Sequence, residues 1–440
     1  MELGKHLGKG LWGIADKGLP VIYGLGYVLL VIRVLPEVEF GKFVLIQELF
    51  LIISMLAMAF ALQPLLKFAS EDVQDTREVT SAAFLLHAAF ILLASLLVVA
   101  LQRPLAELFN APGLDALIPF VPAMLGASLM RNFTLTVLQA RFMLREVFWT
   151  DAAHFLGAPI LVWIISRMHL FDTALDLILI NIASLAVSSL VGIVLTRRLM
   201  VMPLLPSTHE LRRVLDYGRY SAGGLISYLV YAKADTFILS AFTGPGQVAV
   251  YNSVKVFTRI YEMLPQVVQM IVLPASSRLS SRHDAPGLQA LVEKSMLFLT
   301  VSMTPVFVLF LLGASPLIEV LYQGRYTEAT PILQVFSALA LAVPTIAVGS
   351  NVLLGLGRAR MSFLLSLQML GASLAGYFGL IPWLGGLGAA AGLALASLLL
   401  VWSTLVQLQR IMPLTVKGIL RRRHDITRFL RTRLLREPTP

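Results

Sequence analysis

Apolar residues in this chain come in long runs rather than in alternation with polar ones. Twelve such runs lie near 11–34, 43–66, 81–101, 115–139, 147–166, 173–196, 217–242, 250–273, 296–314, 331–354, 362–382 and 388–409. A hydrocarbon core of about 30 Å is crossed by roughly 20 helical residues. Each run therefore predicts one membrane-spanning helix, numbered spans one to twelve. A membrane β-barrel would show segments of about ten residues with strict alternation, whereas Phe43–Leu66 reads as apolar throughout. The expected fold is all-α and polytopic. The first run is long and flows into a second, so it is read as the first span and not as a cleavable signal.

Composition sharpens this reading. Of 440 residues, 57% are hydrophobic and 14% charged, and the mean hydropathy is +0.80. Soluble domains carry about 25% charged residues, so a water-covered globule is excluded. The formal charge of +10 would be compatible with nucleic acid, but its distribution argues otherwise. With a cytoplasmic N-terminus, 24 lysines and arginines fall in cytoplasmic segments. Five fall outside: Arg33, Lys42, Arg103, Arg167 and Arg325. Such asymmetry is an orientation signal. It places both termini in the cytoplasm and leaves nucleic acid no role. The chain has no cysteine, which excludes disulfides and thiolate metal sites.

The chain also echoes itself. Pro104-Leu105-Ala106-Glu107-Leu108-Phe109 follows span three, with Pro119 fifteen residues past Pro104; Pro316-Leu317-Ile318-Glu319-Val320-Leu321 follows span nine, with Pro331 fifteen past Pro316. The outer loop from Leu35 to Phe43 resembles that from Gly244 to Tyr251, and Gln139-Ala140-Arg141 resembles Gly357-Arg358-Ala359-Arg360. Three echoes in order predict two six-span lobes, 1–205 and 206–416, followed by a basic cytoplasmic tail, 417–440. An even number of spans per lobe makes the repeat parallel, about a pseudo-twofold axis along the membrane normal. Transporters built this way bind substrate between the repeats. The tail is expected to lie on the anionic inner leaflet.

Ionisable side chains inside spans are expensive and need partners or water. In span eight, Tyr251, Lys255, Arg259, Glu262, Gln266 and Gln269 recur at steps of three and four, one face of a helix. The stripe predicts the wall of a water-filled cavity; an internal Lys255/Arg259–Glu262 ladder that only glues helices is the alternative. Span seven carries Tyr220, Gly224, Ser227, Tyr228, Tyr231 and Asp235 on one side, and span one carries Asp16, Pro20, Tyr23, Gly24 and Tyr27. Tyrosines suit sugars, but they also serve helix packing. Weaker candidates are Arg131 with Asn132 in span four, Asp151 with His154 at the end of span five, and Asn181, Ser184 and Ser188 in span six. Lys233 lies about 200° around the helix from Asp235 and is expected to pair elsewhere. Gly388, Gly392 and Ala396 form a packing ridge. No Walker, dinucleotide, zinc-helix or nucleophile-elbow motif occurs, so neither an enzyme nor a cofactor is implied. Energy for transport must come from a gradient or the membrane potential.

Several segments carry a family resemblance. They are Arg33-Val34-Leu35-Pro36 through Glu39-Phe40-Gly41-Lys42-Phe43, and Asp235-Thr236-Phe237-Ile238-Leu239 followed by Val248 to Asn252. Leu273-Pro274-Ala275-Ser276-Ser277 and Pro316–Leu321 complete the set. Together they resemble the Wzx-like oligosaccharide flippases of the multidrug/oligosaccharidyl-lipid/polysaccharide exporter superfamily. That resemblance implies a bacterial inner-membrane flippase. It would move an undecaprenyl-pyrophosphate-linked glycan from the cytoplasmic to the periplasmic leaflet by alternating access, for O-antigen, capsule or exopolysaccharide. Polysaccharide polymerase and glycosyltransferases would be its partners. A pyrophosphate requires sheltered cations, and arginine binds phosphate bidentately. Arg259 and Lys255 are expected to do so first, then Arg131 and Lys17, with Tyr23, Tyr228, Tyr231 and Gln266 on the sugar. Glu262, Asp235 and Asp16 are the carboxylates expected to couple an ion. An ion-coupled drug or metabolite antiporter of the same superfamily, or a membrane scaffold for glycosyltransferases, are the other readings.

Overall fold

A computed structural model describes residues 22–71, 76–168, 172–199 and 206–422, together with Trp12, Ala15, Asp16 and 18–20. Among the described residues every regular element is a helix. Span one ends as a π turn, Tyr23–Tyr27, leading into Val28–Val34. Span two runs Glu37–Ala57, through a π turn at Met58–Leu62, to Gln63–Glu71. Spans three, four and six are Arg77–Ala100, Phe120–Ala140 and Ala174–Thr196, while span five is built from Leu144–Phe155 and Gly157–Arg167. Span seven is Thr208–Thr243. Span eight comprises Pro245–Lys255, a 3-10 turn Val256–Arg259, and Ile260–Ser281. Spans nine and ten are Ala285–Leu312 and Thr330–Gly355. Spans eleven and twelve lie within Ala359–Gln409, parted at Gly385, whose φ of 53° turns the chain back.

Among the described residues eight helices are long and apolar enough to cross a membrane, and one of them, Arg360–Gln409, holds two of the expected spans. Spans one, seven and eight are not among the eight. Spans seven and eight carry several charges, which lower their hydropathy. The proline echoes are visible as structure: each becomes a short helix after its span, Gln102–Leu108 and Ala314–Tyr322. Pro119 and Pro331 then start the following spans, where a missing N–H costs nothing.

By internal packing the chain divides into two units, Met1–Ser253 and Val254–Pro440. This division measures compactness, whereas the repeat boundary near 205 was read from sequence echoes. In the first unit, Leu62, Leu65, Val79, Ala82, Ala83, Phe133 and Val137 form a buried core closed by Val214 of span seven. Leu92, Leu93, Leu96 and Leu97 of span three stay exposed, as expected of a face that meets lipid.

Close backbone contacts at its two ends tie span two to spans seven and eight. A Cβ on Gly218 would overlap the carbonyl of Phe60 in the π turn of span two, and one on Gly41 would overlap the carbonyl of Pro245. In span seven, Ser240 donates to the Phe109 carbonyl at 2.6 Å, and Phe109 stacks on Phe237 at 4.9 Å.

In the second unit, Val268, Val272, Val292, Met296, Leu299, Val348, Val352 and Leu408 belong to a buried core. Gly392 packs directly on Gly376, 2.9 Å from where its Cβ would stand, so the ridge along span twelve is packing. The segment after span twelve is tied back. Glu293, 2% exposed, accepts from Arg422 Nε at 2.8 Å; Gln289 donates to Glu293 at 2.8 Å and to the Pro413 carbonyl at 2.9 Å. Gly418 leaves room for the carboxylate, since a Cβ there would lie 2.7 Å from Glu293 Oε1. Glu293→Ala should free this segment. Tryptic cleavage after Lys417 in detergent should then quicken several-fold, and an unchanged rate would show that apolar contacts alone hold it.

Candidate functional site

The first unit contains a polar cluster to which five spans contribute. The π turn of span one brings Tyr23 and Tyr27 into a stack with centroids 4.8 Å apart. Asn181 of span six lies between their hydroxyls: Tyr23 donates to its Oδ1 at 3.2 Å, and its Nδ2 donates to Tyr27 at 2.8 Å. His154 of span five stands 2.9 Å from Ser184 through Nδ1 and 5.5 Å from the Tyr23 ring. Across span four, the Arg131 guanidinium pairs with Asp151, donates to Asn132 at 3.3 Å and lies 5.4 Å from the Phe155 centroid. Asn132 in turn donates to Ser54 of span two at 3.0 Å.

Three groups that looked independent in the sequence, on spans four, five and six, therefore form one network. Asp151 is 9% exposed and bound to Arg131 across the helix interface. The Arg131 guanidinium is thus enclosed beside its carboxylate.

A second arrangement joins spans two and seven. Lys233 Nζ lies 2.9 Å from Glu48 Oε1 and 2.8 Å from Oε2. Glu48 sits within the stretch that reads as apolar throughout. An acid inside a span was the signal that sequence reading passed over. Asp235, two residues on, turns the other way. It is 1% exposed and accepts from Tyr251 Oη at 2.6 Å and from the Thr236 N–H at 2.7 Å.

The stripe of span eight passes from buried to exposed along its length. Tyr251 is wholly buried against Asp235, Lys255 is half-buried, and Arg259 and Gln266 are exposed. Within it Val256–Arg259 is a 3-10 turn, with 3.0 residues per turn in place of 3.6. Pro265 and Pro274 interrupt the hydrogen-bond ladder further along. Asp16 is buried. Lys17, and the side chains of Tyr228, Tyr231 and Glu262, lie outside the described residues.

Comparison with known proteins places this geometry. Residues 30–331 match the family model described as polysaccharide biosynthesis protein. An uncharacterised membrane protein of Methanocaldococcus jannaschii is 31% identical over 183 residues, which is 41% of this chain and 36% of that protein. The chain thus matches about a third of the length of this curated relative. Among solved structures, the lipid II flippase MurJ in an inward closed conformation superposes with a TM-score of 0.73, at 16% identity, covering 98% of this chain and 93% of the other. An inward-facing multidrug resistance MATE family transporter of the MOP superfamily gives 0.70, at 15% identity, covering 91% and 98%. A MOP superfamily transporter from Pyrococcus furiosus, whose binding pocket is described as reversed in polarity, gives 0.60 at 13% identity, covering 91% and 94%. The fold is that of MOP-superfamily flippases and transporters, and the chain belongs to the polysaccharide biosynthesis protein family, a multi-pass membrane family, as the resemblance implied.

Proposed function

We propose that this protein flips a polyprenyl-pyrophosphate-linked oligosaccharide across the cytoplasmic membrane by alternating access, with both termini in the cytoplasm. The observation that carries this reading is Arg259, an exposed guanidinium at a break in the middle of a membrane-spanning helix. An arginine facing hydrocarbon costs at least about 2.5–3.5 kcal/mol. Facing a water-filled path, it costs little and meets anions. A pyrophosphate carries the charge that Arg259, with Lys255 one turn before it, is suited to bind. Membership in the polysaccharide biosynthesis family supports a sugar-bearing substrate. In this scheme Tyr23, Tyr228, Tyr231 and Gln266 contact sugar, and Asp16, Asp235 and Glu262 serve ion coupling.

The test is complementation of a strain lacking its own polysaccharide flippase. Arg259→Ala and Lys255→Ala, each expressed and inserted at wild-type levels, should reduce surface polysaccharide at least about tenfold, the loss of one charge-assisted bond. Full rescue by both would overturn the assignment of these cations to substrate.

A further inference from the structure

The Lys233–Glu48 pair has a geometry that packing does not require. Glu48 lies eleven residues into span two, about 16 Å along the helix at 1.5 Å per residue. That is near the centre of a hydrocarbon core of about 30 Å. Spans two and seven already touch backbone to backbone where Gly218 meets Phe60, a contact that needs no charge. A buried ion pair can often be replaced by apolar residues without loss of stability, so its presence at this depth points to a role beyond adhesion.

The two partners are unequally placed. The Glu48 side chain is 11% exposed and that of Lys233 is 23% exposed. The carboxylate is therefore the more enclosed of the two. An ammonium has three N–H groups, of which two carboxylate oxygens take at most two. Lysine binds phosphate as a compact point charge.

We infer that Lys233 is a further binding residue for the pyrophosphate of the lipid-linked substrate, and that Glu48 is the positioning residue holding its ammonium at mid-membrane until the anion arrives. This rests on the flippase reading above and extends it to a cation on span seven, apart from Arg259 and Lys255 on span eight.

The experiment uses the full chain purified in detergent. Farnesyl pyrophosphate serves as the probe, farnesol as its uncharged control, and gel filtration monitors folding. Lys233→Gln should weaken farnesyl pyrophosphate binding at least about tenfold, as loss of a charged hydrogen bond implies, and leave farnesol binding unchanged. Glu48→Gln, which keeps the cation but loses the carboxylate that positions it, should weaken binding several-fold, less than Lys233→Gln does. The reversed pair, Glu48→Lys with Lys233→Glu, keeps an ion pair but turns the acid outward, and should bind as weakly as Lys233→Gln. If the pair only glues helices, the reversed pair will bind like wild type and Lys233→Gln will change thermal stability alone; either result overturns the inference. Binding lost in Arg259→Ala but retained in Lys233→Gln would sink this site and leave the flippase reading standing. A wild-type chain that binds both probes equally would sink both.

Discussion

Arg131→Ala should destabilise the protein by about 3–5 kcal/mol, the penalty for leaving one member of a buried ion pair alone. Arg131 and Asp151 have side chains 12% and 13% exposed, so the orphaned carboxylate finds little water. The guanidinium also bridges to Asn132 and lies against Phe155, contacts that alanine cannot replace. Asp151→Ala should cost a similar amount, since it strands the cation instead. The double change Arg131→Met with Asp151→Leu should recover most of the loss, because removing both charges also removes their desolvation penalty. Unfolding in detergent followed by tryptophan fluorescence measures all three. A double variant as unstable as either single one would mean that the wider network, and not the pair, carries the stability. The same variants bear on function: if Arg131 bound substrate, the stable double variant would fail in complementation, whereas a structural pair leaves it active.

The second large effect concerns how span two is packed against spans seven and eight. Gly218→Leu should cost about 3 kcal/mol, the upper range for overpacking a close contact. The obstructing atom is the backbone carbonyl of Phe60, which cannot rotate aside as a side chain can. Gly41→Leu should cost a similar amount against the Pro245 carbonyl. The two contacts are 19 residues apart along span two, about 28 Å at helical rise, so their effects should add. The structure of span seven offers a second measurement. In this cysteine-free chain, cysteines placed at 48 and 233 should cross-link readily in the parent and at least several-fold less in Gly218→Leu. Equal cross-linking with lowered stability would locate the damage elsewhere.

Much of the architecture was legible because it depends on local quantities. Whether a stretch can cross the membrane is a property of about twenty consecutive residues, and the described residues of the twelve runs lie chiefly in helix. The helices after Leu101 and Gly313 were announced by their prolines. Even the independence of Lys233 and Asp235 followed from helical angles, and they do bond in different directions, to Glu48 and to Tyr251. The stripe of span eight rests on the same arithmetic. It assumed 3.6 residues per turn throughout, and Val256–Arg259 winds more tightly.

The sequence by itself determined the all-helical membrane class, the spans, and the presence of charges too costly to be idle. Tertiary structure alone decided which of those charges meet. Arg131 and Asp151 are 20 residues apart, and Lys233 and Glu48 are 185 apart. Each pairing depends on how two helices are rotated about their own axes when they pack. That rotation is set by small residues such as Gly41 and Gly218 and by turns that are not α-helical, contributions a hydropathy pattern averages away.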